Sequence, residues 1–153
     1  MRTLENILVV DDDPKMQEML TEILTDKGYS VTCVGTGKKA IAESFKQLFN
    51  LALIDIHLPD MEGTELLGKL RKPEPEMIKI IITGNATLDN SIEAANKGID
   101  GYIVKPFDPK KLTSLIESKL KEQQKKIQFD EKKVAEYIEL RYNWMANANL
   151  NKK

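Results

Sequence analysis

Cysteine occurs once, at Cys33, which rules out an intramolecular disulfide framework and a Cys-rich zinc site. No apolar run approaches the ~20 residues that a membrane-spanning helix requires. The segment Met1-Arg2-Thr3-Leu4-Glu5-Asn6 leads straight into a strand-like stretch and does not read as a secretory signal. The expectation is a cytoplasmic protein with no membrane partner. Neither sign of charge dominates: 23 Lys/Arg stand against 24 Asp/Glu, a net charge of −1, which argues against a strongly basic nucleic-acid binder. What is present, 41% hydrophobic and 31% charged residues in a chain of 153, suits one domain with a sizeable core, or one domain plus an appendage.

The small net charge hides a split. Residues 1–108 carry 12 Lys/Arg and 18 Asp/Glu, whereas residues 109–153 carry 11 and 6. An acidic body is therefore joined to a basic tail.

Four short apolar runs stand out, Ile7-Leu8-Val9-Val10, Leu51-Ala52-Leu53-Ile54, Ile80-Ile81-Ile82 and Tyr102-Ile103-Val104, with Ser30-Val31-Thr32-Cys33-Val34 a weaker fifth. They are continuous rather than alternating, as strands covered on both faces of a parallel sheet are. Helical patterns fill the gaps. Met16, Met19, Leu20, Ile23 and Leu24 form one stripe, with Asp13 as cap, Pro14 in the first turn and Lys27-Gly28 at the end. Ile41, Phe45 and Leu48 mark a second helix, and Leu66, Leu67 and Leu70 a third. Thr87 opens a fourth that carries Ile92 and Ala95 and closes at Lys97-Gly98. Asp108-Pro109 starts a fifth, with Leu112, Leu115, Ile116 and Leu120 on one face. The order βαβαβαβαβα with short connections predicts a three-layer α/β sandwich, five parallel strands doubly wound by helices. Beyond it, Phe129-Asp130 reads as a break and a new cap, followed by a helical face of Val134, Tyr137, Ile138, Arg141 and Met145.

In an open parallel sheet, ligands collect at the carboxyl ends of the strands. Strand one ends in Asp11-Asp12-Asp13, strand three in Asp55, strand four in Thr83 and strand five in Lys105-Pro106. Clustered carboxylates repel one another unless a cation sits among them. Hard oxygen ligands suit Mg²⁺, which keeps waters and accepts a phosphate oxygen. Lys105 supplies a point charge for an anion and Thr83 a hydroxyl donor. The set fits phosphoryl transfer, with Asp55 as nucleophile, because carboxylates form aspartyl-phosphates. Asp13 before Pro14 reads as a simple helix cap. Gly37-Lys38 lacks the first glycine and the Ser/Thr of a Walker loop, and His57 stands where aspartyl phosphatases need a second Asp.

The ordered motifs Ile7-Leu8-Val9-Val10-Asp11-Asp12-Asp13, Ala52-Leu53-Ile54-Asp55-Ile56-His57-Leu58-Pro59-Asp60-Met61-Glu62-Gly63, Ile82-Thr83-Gly84 and Gly101-Tyr102-Ile103-Val104-Lys105-Pro106-Phe107 resemble the receiver domain of two-component response regulators, of the chemotaxis and sporulation type. The resemblance covers roughly residues 5–122. It implies a flavodoxin-like (βα)5 fold and a phosphorelay role, with Asp55 charged by a sensor histidine kinase or histidine phosphotransferase. It implies Mg²⁺ held by Asp12, Asp55 and the backbone carbonyl of His57, with Asp11 acting through water. Thr83 and Lys105 would contact the phosphoryl oxygens, Tyr102 would move as a switch with Thr83, and Lys105-Pro106 would be cis. His57 and Asn85 would tune the lifetime of the phosphoryl group. Neither is an acid, which points to slow self-dephosphorylation.

Two rivals differ in class. A metal-dependent hydrolase would turn over phosphate esters without a stable adduct, and an interaction module would keep the fold alone. The expected organisation is a receiver over residues 1–124 and a C-terminal helical extension or linker over 125–153. No output domain of the family is expected within the residues that follow 122. The tail could dimerise or dock through its apolar face, begin a linker, or pack back on its own domain. No helix-turn-helix can be assembled from it, so sequence-specific DNA binding is not expected.

Overall fold

The computed structural model describes residues 5–73 and 76–150. Five strands alternate with five helices: β1 (Asn6–Val10), α1 (Pro14–Asp26), β2 (Ser30–Val34), α2 (Gly37–Lys46), β3 (Leu51–Ile54), α3 (Gly63–Leu67), β4 (Ile78–Thr83), α4 (Leu88–Asn96), β5 (Gly101–Val104) and α5 (Pro109–Leu150). The strands form one parallel sheet in the order β2-β1-β3-β4-β5. The order reverses direction at β1, so the carboxyl ends of β1 and β3 flank a crevice, which is where ligands bind in such sheets.

The runs of β1, β3 and β4 become central strands because both of their faces are covered. Leu8, Val10, Ala52, Ile54 and Ile81 belong to one core cluster, and Ile7, Val9, Leu53, Ile80 and Ile82 to the other. Full burial of each such side chain is worth about 1.5–3 kcal/mol.

Caps define the helix ends. The Asp13 carboxylate accepts from the Lys15 amide at 3.0 Å and Pro14 occupies the first turn. The Thr87 hydroxyl accepts from the Asn90 amide at 3.1 Å. Gly28 (φ 91°) and Gly98 (φ 78°) adopt the left-handed conformation just past α1 and α4, as the Lys-Gly signals predict.

Expectations about α2, α3 and α4 need correction. In α2 the buried face is Gly37, Ala40 and Ser44, while Phe45 is exposed and Leu48 lies beyond the helix. Small residues there let the helix approach closely: a Cβ on Gly37 would run into the Met61 side chain. In α4, Ala94 is buried and Ile92 is half exposed, so the inward face is shifted from Ile92 and Ala95. Leu70 is buried but lies past the end of α3.

Contacts divide the chain into one unit ending at Leu120 and another beginning at Lys121. The expected break at Phe129-Asp130 is absent, and α5 is helical through it. Neither residue is a glycine or proline, and Lys133 sits over the Phe129 ring at 4.9 Å, one helical turn on. No helix of the described residues is long and apolar enough to cross a membrane.

Candidate functional site

Because the strands are parallel, their carboxyl ends bring Asp11, Asp12, Asp55, Thr83 and Lys105 to one edge of the sheet. The Asp55 amide donates to the Val10 carbonyl at 2.9 Å and the Asp11 amide to that of Val34 at 3.1 Å, which extends the strand ladders to the acids themselves. One carboxylate oxygen from each of Asp11, Asp12 and Asp55 lies within 4.8 Å of the others. Asp11 and Asp55 are buried and Asp12 is exposed.

Lys105 reaches in from just past the end of β5. Its Nζ donates to Asp11 Oδ2 at 2.6 Å and to Asp55 Oδ2 at 3.1 Å. Burial pushes the Asp11 carboxyl above its ordinary value, although the Lys105 ammonium and the Asp13 amide, which donates to Asp11 Oδ1 at 2.9 Å, oppose the shift. Burial acts against the Lys105 charge as well, but the hydrogen bond and charge of Asp11, with those of Asp55, outweigh it and hold the ammonium pKa above the usual lysine value. A carboxylate under desolvation stress, beside two others and with one lysine for compensation, is a donor set that suits a hard divalent cation.

The backbone around the acids is tightly held. The Gln17 side chain donates to the Asp11 carbonyl at 2.6 Å, and the His57 amide to Asp55 Oδ1 at 3.3 Å. The Gly63 amide donates to the Ile56 carbonyl at 2.5 Å. A side chain on Gly63 would collide with the Asp55 carbonyl oxygen and put its Cβ 2.9 Å from Ile56 Cα, so only glycine allows this crossing.

Thr83 is buried at the end of β4, its hydroxyl accepting from the Asn85 amide at 3.3 Å, and the Lys105 amide donates to the Thr83 carbonyl at 2.8 Å. The Lys105-Pro106 peptide is cis. Tyr102 is half-buried against the first core cluster, and its hydroxyl is buried without a hydrogen-bond partner among the described residues. His57 is exposed: its Nε2 lies 3.2 Å from Asn85 Nδ2 and its Nδ1 3.5 Å from Glu62 Oε2.

Two participants escape a reading of strand ends. Glu62 meets His57 through a local bridge between the two backbones. Asp60 accepts from the Gly37 and Lys38 amides at 2.8 and 2.9 Å and so caps α2 from a distant loop, and these two bonds hold its carboxyl below the ordinary value. The Pro59-Asp60 turn and Gly63 are the only sequence signals of that loop.

Comparison with known proteins identifies the family. The family model described as the response regulator receiver domain matches residues 7–117. The chain is 36% identical over 101 residues to the probable transcriptional regulatory protein TcrX of Mycobacterium tuberculosis, covering 66% of this chain and 43% of that protein. It is 33% identical over 117 residues to the DNA-binding response regulator MtrA of Mycolicibacterium smegmatis, covering 76% of this chain and 51% of the relative. The chain thus spans about half the length of the curated relatives it matches. A solved CheY-like receiver domain protein from Methanospirillum hungatei JF-1 superposes with a TM-score of 0.78 at 47% identity, covering 81% of this chain and 99% of the other. By sequence and by structure, the chain belongs to the receiver domain family of two-component response regulators.

Proposed function

We propose that this receiver takes a phosphoryl group onto Asp55 from the phosphohistidine of a sensor histidine kinase or phosphotransferase, in the cytoplasm, and changes conformation in response. The observation that carries this reading is the Lys105 ammonium bridging Asp11 and Asp55 at the edge of the sheet. A carboxylate oxygen of Asp55 attacks phosphorus, the phosphorus–nitrogen bond to the donor imidazole breaks, and the ring nitrogen leaves with the bonding electron pair. The Lys105 ammonium is within reach of the oxygens that gain negative charge, and charge neutralisation of this kind does most of the catalysis in phosphoryl transfer. Thr83 offers its hydroxyl to the same oxygens.

Asp12, Asp55 and the His57 carbonyl would hold Mg²⁺, with Asp11 acting through water. The ion, when bound, offsets the repulsion between carboxylates and phosphoryl oxygens. Tyr102 is the proposed switch, and its buried hydroxyl, without a partner in this conformation, would gain one by moving. The output is a shift between two conformations, biased by the new contacts that the phosphoryl group makes.

The chain treated with acetyl phosphate and Mg²⁺ and weighed intact should gain the mass of one phosphoryl group. Asp55→Asn should gain none. An equal gain in both proteins, or none in either, refutes the assignment.

A further inference from the structure

From Lys121 onward α5 continues as a helix whose larger apolar side chains face solvent: Val134, Ile138 and Met145 are 59%, 62% and 52% exposed. A lone helix cannot bury its own apolar stripe, so such a stripe marks a partner surface. Here the stripe has a regular seam. Ile127, Glu131, Val134, Ile138, Arg141 and Met145 follow one another by alternating steps of four and three residues, the spacing of a coiled-coil seam.

The charges in the seam select the occupant and its direction. Two copies laid parallel and in register would put Glu131 on Glu131 and Arg141 on Arg141. Two copies laid antiparallel about a two-fold axis beside Glu136 instead put Ile127 on Met145, Val134 on Ile138 and Glu131 on Arg141, each pairing made twice. Every apolar seam residue meets an apolar one and every charge meets its opposite. At the axis, the small Ala135 flanks the seam on one side.

We propose that residues 127–145 form an antiparallel coiled coil with the same segment of a second copy of this chain, independently of the acid site. Phe129 and Leu140, although exposed, lie off the seam and are not required.

The test uses the full chain at about 100 μM, because dimer content depends on concentration. Light scattering should give twice the 17.4 kDa of one chain, and Ile138→Asp should return it to the mass of a single chain with its circular dichroism still helical. Leu140→Ser should leave the dimer in place. Glu131→Arg should weaken the dimer roughly tenfold or more, and adding Arg141→Glu to it should restore the affinity. In a Cys33→Ser background, Ile127→Cys chains mixed with Met145→Cys chains should oxidise to the mixed disulfide in preference to either homodimer. A single-chain mass for the unaltered protein, an Ile138→Asp dimer, equal loss in Leu140→Ser, or preferred linkage of 127 to 127 would each overturn the proposal.

Discussion

Leu53 and Ile138 are both large aliphatic residues in regular structure, yet one has no exposed surface and the other is 62% exposed. Leu53 stands in a strand covered on both faces by helices. Ile138 stands on a helix whose own unit contains, among the described residues, no second element to cover it. The difference teaches what each region depends on: the sheet unit is self-sufficient, whereas the stripe on the tail makes sense only with something against it. It also sorts the charge. The acidic excess of residues 1–108 includes the three carboxylates of the site, while the basic excess of residues 109–153 includes none of its groups.

Substitution should break the comparison most visibly in the core. Leu53→Ala should lower the stability of the sheet unit by about 2–5 kcal/mol, transfer and cavity terms together, as measured by urea unfolding. Ile138→Ala should leave that transition within ~0.5 kcal/mol of the parent. If the two variants unfold alike, the tail is an integral part of the core.

The next contrast lies inside the site. The Asp11 pKa is raised, so its protonated form is favoured by folding; that stability is present below pH 3.8 and is lost as pH rises through the folded value. At neutral pH, ionised Asp11 therefore works against the fold. Asp11→Asn should raise the melting temperature by a few degrees without added metal, and Mg²⁺ should stabilise the parent more than the variant. A fall in melting temperature would mean that the bond to Lys105 outweighs desolvation.

The smallest effect concerns an exposed carboxylate with the opposite sign. Asp60 is held below its ordinary pKa by two amides of α2, so its contribution is present above pH 3.8 and is lost as pH falls through the folded value. Asp60→Ala should melt slightly lower than the parent at pH 7, and the gap should close in acid. A gap that stays constant with pH would assign the loss to something other than these charge-assisted bonds.

Much of the fold was legible because its signals are strong and local. Hydrophobic runs bounded by Asp, Gly and Pro located the strands, and a parallel sheet obliges their carboxyl ends to converge, so Asp11, Asp12, Asp55, Thr83 and Lys105 could be placed together before any coordinates. Faces built from small residues were not legible. Gly37, Ala40 and Ser44 carry little hydropathy, so Phe45 drew the apolar stripe of α2 to the wrong side. The inward turn of Ala94 in α4 has the same origin. Asp60 and Glu62 act across a loop whose path depends on tertiary packing, which no periodicity reports. The break expected at Phe129-Asp130 rested on a cap-like residue alone, and without Gly or Pro the helix simply continues.

The bond between Lys105 and Asp11 joins residues 94 positions apart. During synthesis, Asp11 and Asp55 are both made well before the lysine that compensates them. Their charges can stay in water until β5 is added at the sheet's edge, and only then is their burial offset. The bond can form only in a chain that already contains β5. An anion that takes a hydrogen bond from Lys105 would thus be held by the residue that directly follows the edge strand of the sheet.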